Sequence, residues 1–128
     1  MVLIRKPVRF MVVDDSRVIR EQIESILEGG NYEFVGAAQD GLEALREFRV
    51  LQPRLVTMDL TMPRIDGTET IRRMMTMDPN VRILVVSALK DKATALKALR
   101  LGAHGFLSKP FTTRQLQEAI EKLTANLR

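Results

Sequence analysis

Short runs of apolar residues alternate along the chain with longer stretches in which apolar residues recur every three or four positions. The short runs are continuous, without a polar residue at every second position. This pattern is typical of strands that helices cover on both faces of a parallel sheet. We predict five such strands, at residues 10–13, 34–38, 55–58, 83–86 and 105–107.

The stretches that separate these strands have helical periodicity, and it is clearest at the end of the chain. There, Thr112 and Gln115 form the sequence pattern of a capping box at the start of a helix. The first helix is predicted to stop at Gly29 and Gly30, and the fourth at Gly102, because glycine readily adopts the left-handed conformation that ends helices. The apolar positions of the last helix are Leu116, Ala119, Ile120, Leu123 and Leu127, and those of the weaker fourth helix are Leu96, Leu99 and Leu101.

Five strands that alternate with five helices predict an α/β fold of the (βα)5 type, in which helices cover both faces of a doubly wound, five-stranded parallel sheet. The length of 128 residues suits one domain of this kind. Right-handed crossovers place the functional loops of such a sheet at the carboxyl ends of its strands. Chemistry is therefore expected at that edge.

Composition excludes several classes of protein. The absence of cysteine excludes disulfides, thiolate catalysis and iron–sulfur clusters. No apolar run approaches the ~18 residues of a membrane span and no signal peptide pattern is present, so a cytosolic protein is expected. The net charge is +4, but basic and acidic residues are interspersed, so no nucleic-acid partner is expected. The single histidine, His104, is interpreted as a solvated turn residue without a ligand role.

Polar, reactive side chains follow four of the five predicted strands. Asp14 and Asp15 follow the first strand, Asp59 the third, Ser87 the fourth, and Lys109 comes shortly after the fifth. Three carboxylates brought together repel one another unless a cation compensates them. Oxygen ligands without histidine or cysteine favour Mg²⁺, with Mn²⁺ as the alternative.

The same set of residues suits phosphoryl chemistry. An aspartate carboxylate can act as a nucleophile and form an acyl phosphate when a metal ion and a lysine neutralise the incoming charge. Lys109 is placed to pair with Asp59 at rest and with phosphoryl oxygens during transfer, and Ser87 offers a hydroxyl donor to the same oxygens.

These motifs resemble those of the receiver domain of two-component response regulators. The resemblance covers the chain after residue 7, and it divides the chain into an N-terminal extension at 1–7 and a receiver, or phosphoacceptor, domain at 8–128. It implies the flavodoxin-like or CheY-like fold with strand order 2-1-3-4-5. The matching motifs are Val13-Asp14-Asp15, the stretch 58–67 around Asp59, Ser87-Ala88 and Lys109-Pro110-Phe111.

The resemblance also implies roles for individual residues. Asp59 would be the phosphoacceptor, and Mg²⁺ would be held by Asp14, Asp15, Asp59 and the backbone carbonyl of Thr61. A family member of this kind takes its phosphoryl group from a phosphohistidine.

The family also has a conformational switch, in which the residues around the phosphoryl group move and an aromatic side chain turns inward. In this chain the phosphoryl-binding and switch positions are Ser87, Ala88, Lys109 and Phe106. The peptide bond between Lys109 and Pro110 is expected to be cis. The output surface would be formed by the fourth helix, the fifth strand and the fifth helix.

The resemblance implies a single-domain response regulator of the CheY-like chemotaxis type, located in the cytoplasm. It would not be an enzyme beyond catalysing its own phosphorylation and dephosphorylation. Its partners would be a CheA-like histidine kinase or a histidine phosphotransfer protein, and a downstream protein such as a flagellar motor switch component. No membrane partner is expected.

Two alternatives remain open at this stage. The chain resembles equally a receiver fragment of a larger regulator, either a methylesterase or a transcription factor. A small Mg²⁺-dependent aspartyl-phosphate phosphatase is less well supported, because such an enzyme would carry a second acid two residues after the nucleophile, where this chain has Thr61.

Overall fold

The computed structural model describes residues 6–62, 64–88 and 92–127. Most of the predicted N-terminal extension, residues 1–5, lies outside the described residues, as does Pro63 of the motif around Asp59. The strands are β1 (Val8–Val13), β2 (Tyr32–Ala38), β3 (Leu55–Met58), β4 (Arg82–Ser87) and β5 (Gly105–Ser108).

Helices follow the strands in strict alternation. They are α1 (Arg17–Leu27), α2 (Gly41–Leu51), α3 (Gly67–Met77), α4 (Lys92–Arg100) and α5 (Thr113–Thr124), and a short 3₁₀ helix at Ala125–Leu127 extends α5. No helix in the described ranges is long and apolar enough to span a membrane.

All five strands pair in parallel in the order β2-β1-β3-β4-β5, so the predicted doubly wound fold and strand order are confirmed. β1 and β3 lie next to each other at the centre, and Val13 is in register with Met58. The residues that follow these two strands are therefore neighbours at the carboxyl edge.

The apolar core lies in two layers, one on each face of the sheet. Successive residues of a strand alternate between them, as Met11 and Val13 do against Phe10 and Val12. Burial of a large apolar side chain stabilises the fold by about 2 kcal/mol. The helical residues of the first layer are Ala44, Phe48, Ile71, Met74 and Ala98, from α2, α3 and α4, and those of the second are Ile23, Leu27, Leu116 and Ile120, from α1 and α5.

The helix ends follow the predicted signals. Thr112 and Gln115 form a complete capping box, with each side chain accepting a hydrogen bond from the backbone N–H of the other residue. α1 ends at Leu27, just before Gly29 and Gly30, which have positive φ angles of 111° and 56°. The local sequence thus determines where these helices begin and end.

The predicted fourth helix is present, but two of the three apolar residues that predicted it lie at the surface. Leu96 and Leu99 are 52% and 41% exposed, while Ala98 is fully buried. Leu101, directly after α4, packs against the core layer of α2, α3 and α4. The helix therefore contacts the core through the small side chain of Ala98, which permits close approach.

The interpretation of His104 as a free turn residue is also incomplete. The residue is exposed in the turn before β5, but its ring Nδ1 accepts a hydrogen bond from the backbone N–H of Ile83 at 3.1 Å, and its own N–H donates to the Ile83 carbonyl at 2.8 Å. The side chain therefore extends the pairing of β4 with β5. Partial burial, with a smaller contribution from the positive charge of Arg82, lowers the pKa of His104 below the ordinary value of 6.5.

This geometry predicts a pH dependence. Protonation of Nδ1 would break its hydrogen bond, so the unfolded chain binds the proton more readily than the folded chain does. The free energy of unfolding should therefore fall as the pH drops through about 6.5 and level off below the folded-state pKa of His104. NMR titration of this single histidine measures that pKa, and a His104→Leu variant should lack this component of the pH profile. A folded-state pKa at or above 6.5 would contradict the account.

Candidate functional site

Backbone hydrogen bonds extend the sheet past the ends of its strands and position the polar residues there. Asp14 N–H donates to the Ala38 carbonyl, and Asp59 N–H donates to the Val13 carbonyl, each at 3.0 Å. At the other side of the site, Lys109 N–H donates to the Ser87 carbonyl, also at 3.0 Å. The side chains therefore project from a rigid edge.

The structure brings together the three predicted carboxylates. Asp14, Asp15 and Asp59 each offer an oxygen, and these oxygens lie within 4.8 Å of one another. Asp14 and Asp59 are 1% and 2% exposed, whereas Asp15 is exposed. The cluster thus has two buried members and one member that faces solvent.

Asp59 lies at the centre of the polar contacts. Its Oδ1 accepts hydrogen bonds from the Ser87 hydroxyl at 3.0 Å and from both the backbone N–H and the hydroxyl of Thr61 at 3.1 Å. Its Oδ2 lies 3.5 Å from Lys109 Nζ. The two oxygens of this carboxylate are therefore in different surroundings, one among hydroxyl and amide donors and the other beside a cation.

Among the residues that the structure describes, Lys109 is the cation that contacts these carboxylates. Its Nζ donates to Asp14 Oδ2 at 2.6 Å, and its side chain is 17% exposed. A single ammonium thus contacts two buried carboxylates. Removing either charged partner of such a partly buried ion pair destabilises the fold, because the remaining charge is left without compensation.

The charge balance of the cluster is incomplete. Burial raises the pKa of Asp14, and the charge of Asp59 raises it further, while hydrogen bonds from Lys109 and from the backbone N–H of Ser16 lower it. The net effect is upward, so the contacts from Lys109 and Ser16 do not fully offset the cost of burying the ionised Asp14 carboxylate. Three carboxylates in this position fit a hard divalent cation with oxygen ligands, such as Mg²⁺.

The remaining predicted residues lie around this cluster. Ala88 is exposed directly after β4, and Thr61 lies in the loop directly after β3. Phe106 is half-buried on β5, in register with Val85, and packs against the core layer of α2, α3 and α4. The peptide bond between Lys109 and Pro110 is cis.

Arg20 is a residue that the sequence analysis missed. Its guanidinium, projecting from α1, donates to the backbone carbonyl of Asp14 at 2.7 Å and so holds the loop that carries Asp14 and Asp15. A signal was present, because cations are disfavoured near the N-terminus of a helix. An arginine this close to the start of α1 therefore needed another partner.

Gly67 is a second residue whose role was not predicted. It begins α3, and its N–H donates to the Leu60 carbonyl. A Cβ atom built there would lie 2.6 Å from both the Asp59 carbonyl oxygen and Leu60 Cα, which are backbone atoms. Only glycine lets α3 approach the loop that carries Asp59 this closely.

The fold and the site together define a class of protein. It is a doubly wound α/β domain with clustered carboxylates and a lysine at the carboxyl edge of its sheet. The model of the response regulator receiver domain family matches residues 10–121, and the chain belongs to this family.

Several relatives of the chain are chemotaxis proteins. Chemotaxis protein CheY of Thermotoga maritima is 37% identical over 116 residues, which cover 91% of this chain and 97% of that protein. The crystal structure of the response regulator domain of Thermotoga maritima CheB superposes with a TM-score of 0.84 at 36% identity, covering 94% of this chain and 96% of that one. The protein is thus a CheY-like response regulator, and receiver domains of this kind are non-enzymatic signalling proteins.

A second similar structure contains ligands. It is the crystal structure of the CheX–CheY–BeF₃–Mg²⁺ complex from Borrelia burgdorferi, in which the matching chain has a TM-score of 0.86 and 28% identity, with 91% of this chain and 89% of that chain covered.

Substitution of Gly67 tests how closely the site depends on packing. Gly67→Ala should force α3 away from the Asp59 loop, lower the free energy of unfolding by about 1–3 kcal/mol and weaken Mg²⁺ binding measured by calorimetry. Gly30→Ala is the control, because Gly30 has open space around its Cβ position and lies at the opposite edge of the sheet. It should lower stability through its positive φ and leave Mg²⁺ affinity unchanged. Unchanged Mg²⁺ affinity in Gly67→Ala would contradict the proposed role of this contact.

Proposed function

We propose that this protein accepts a phosphoryl group on Asp59 from a phosphohistidine and passes the signal on through a change in its surface. The observation that carries the proposal is the placement of the Asp59 carboxylate, between a lysine ammonium on one side and the hydroxyls of Ser87 and Thr61 on the other. A negative nucleophile that receives a negative group needs this arrangement of donors.

Asp14, Asp15 and Asp59 would hold Mg²⁺ together with the backbone carbonyl of Thr61, and Mn²⁺ would be an alternative. When bound, the metal ion would neutralise charge on the phosphoryl oxygens. The fit rests on geometry: three carboxylates offer oxygens within 4.8 Å of one another, and the ammonium of Lys109 contacts two of these carboxylates.

In the transfer step, an oxygen of the Asp59 carboxylate bonds to phosphorus while the bond from phosphorus to the histidine nitrogen breaks. The electron pair of that bond returns to the imidazole of the donor protein, and the product on this chain is an acyl phosphate. Lys109, 3.5 Å from Asp59 Oδ2, is placed to contact the transferred oxygens. The protein supplies this chemistry and the later hydrolysis only for itself, so it does not turn over a separate substrate.

The resting hydrogen bond from Ser87 to Asp59 Oδ1 gives the site a means of switching. Once Asp59 carries a phosphoryl group, the hydroxyl would donate to a phosphoryl oxygen instead, and Ala88 next to it would move as well. Phe106, half-buried on the adjacent strand, would then turn further inward. The surface formed by α4, β5 and α5 lies around these residues and would be the output surface.

The relatives support a role for this protein in chemotaxis signalling. Kinship with chemotaxis proteins supports a CheA-like histidine kinase or a histidine phosphotransfer protein as the donor, in the cytoplasm, and a flagellar motor switch component or similar protein as the target. A receiver unit at residues 8–128 within a larger regulator is the second candidate, favoured by the likeness to the CheB domain.

Removal of the nucleophile tests the proposal. Asp59→Asn keeps the side-chain shape and an acceptor for Ser87, so we expect a folded protein that a small phosphoryl donor no longer labels. Asp66→Asn is the matched control, because asparagine also caps a helix and Asp66 is the N-cap of α3. Intact-mass measurement should show labelling of wild type and Asp66→Asn with Mg²⁺ and none with EDTA. Labelling of Asp59→Asn, or equal labelling without metal, would refute the assignment.

Substitution of Lys109 tests the charge balance. Lys109→Met keeps a long side chain but removes the ammonium that contacts Asp14 and Asp59, so the metal-free variant should be less stable by up to about 3 kcal/mol. In this variant Mg²⁺ no longer competes with the ammonium for the carboxylates, so the affinity for Mg²⁺ should rise. Addition of Mg²⁺ should therefore increase Tm more than it does in wild type. Lys122→Met, an exposed position on α5, is the control. A smaller Mg²⁺-induced rise in Tm for Lys109→Met than for wild type would contradict this account.

A further inference from the structure

A groove between α2 and α3 lies outside the site described above. One part of it has a volume of about 340 Å³ and is lined by Leu45, Arg49, Arg72, Arg73, Thr76 and Met77. Arg49 and Met77 also line an adjoining depression of about 550 Å³ towards the C-terminal ends of both helices. The two depressions form one continuous surface, which we call the α2–α3 groove.

Charge on α2 is segregated around the helix. Leu45 and Arg49, four residues apart, line the groove. Glu43 and Glu47, also four residues apart, lie on nearly the opposite side of the helix at 100° per residue. The acidic residues of α2 therefore do not neutralise Arg49 across the groove.

Positive charge also exceeds negative charge on α3. Arg72 and Arg73 both pair with the carboxylate of Glu69, so one anion serves two guanidinium groups, and their side chains are 53% and 47% exposed. Arg49 makes no ion pair within the described ranges of the chain. At the far end, the groove also contains the Asp78 carboxylate, which accepts the N–H of Asn80 and keeps its negative charge. The groove thus presents three guanidinium groups against the carboxylates of Glu69 and Asp78, which leaves a net positive charge.

An exposed apolar side chain accompanies these arginines. Met77 lines both depressions of the groove and is 38% exposed. Guanidinium groups alone would suit phosphates. A methionine between them suits a protein surface, because apolar contact adds nothing to binding of a phosphate but contributes strongly to protein–protein contacts.

We propose that the α2–α3 groove binds an acidic amphipathic helix of a partner protein, with carboxylates on Arg49, Arg72 and Arg73 and apolar side chains on Met77. The complementary charge identifies the kind of partner. Both helices run from the acidic edge of the sheet towards the opposite edge, and the groove lies towards their C-terminal ends. Docking there leaves the Asp59 site uncovered and goes beyond the phosphotransfer proposed above.

A peptide titration of the intact chain tests this proposal. The probe is a synthetic amphipathic helix with glutamates along one side and leucines along the other, and its partner probe has each leucine replaced by serine. NMR chemical shift changes with the first peptide should be confined to α2 and α3, and the serine peptide should bind more weakly. The Arg49→Gln, Arg72→Gln double variant should lose about tenfold in affinity.

Arg114→Gln is the control, because Arg114 is 86% exposed on α5 and pairs with an acidic residue of its own helix, Glu118, as Arg72 does with Glu69. It should bind the leucine peptide as wild type does, and so should Asp59→Asn. Equal binding of the two peptides, shift changes spread over other helices, or unchanged affinity in the double variant would overturn the proposal. Stronger shift changes in the groove with a short oligonucleotide than with the peptide would overturn it as well.

Discussion

The repulsion between clustered carboxylates is the constraint on which the functional edge of this protein depends. Asp14 and Asp59 are almost fully buried within reach of each other, and Lys109 is the ammonium that contacts both. Three clustered carboxylates lie beside this ammonium, and burial raises the pKa of Asp14. A site that holds unoffset negative charge attracts a divalent cation and accommodates a phosphoryl group only with one, so the same imbalance supports both parts of the proposed chemistry.

The order of the strands sets the distance that each polar side chain of the site must span. β1 and β3 are adjacent, so two short aspartates meet directly, and β4 lies next to β3, so the hydroxyl of Ser87 reaches Asp59. β5 is the edge strand beyond β4, and only a side chain as long as lysine spans that distance to Asp14. The arrangement of acid, hydroxyl and long cation therefore follows from the geometry of the sheet.

Much of this could be predicted from the sequence, because the signals are local or periodic. Continuous apolar runs identified the five strands, and the Thr112 and Gln115 pair identified the start of α5. The edge strands β2 and β5 are less buried than such runs indicate. The fourth helix was also identified, but periodicity could not show that Leu96 and Leu99 are exposed while Ala98 is buried. The contact of Gly67 with the Asp59 loop was missed because it depends on how closely two segments approach in space.

The sequence by itself determined the (βα)5 alternation and the residues that follow each strand, because burial on both faces and helix capping are expressed in neighbouring residues. Only the tertiary structure decided which oxygen of Asp59 faces the hydroxyls and which one faces Lys109. It also decided that Arg20 holds the loop of Asp14. It also placed arginines of two separate helices beside one groove. These features depend on distances between residues far apart in the chain, which the order of residues does not specify.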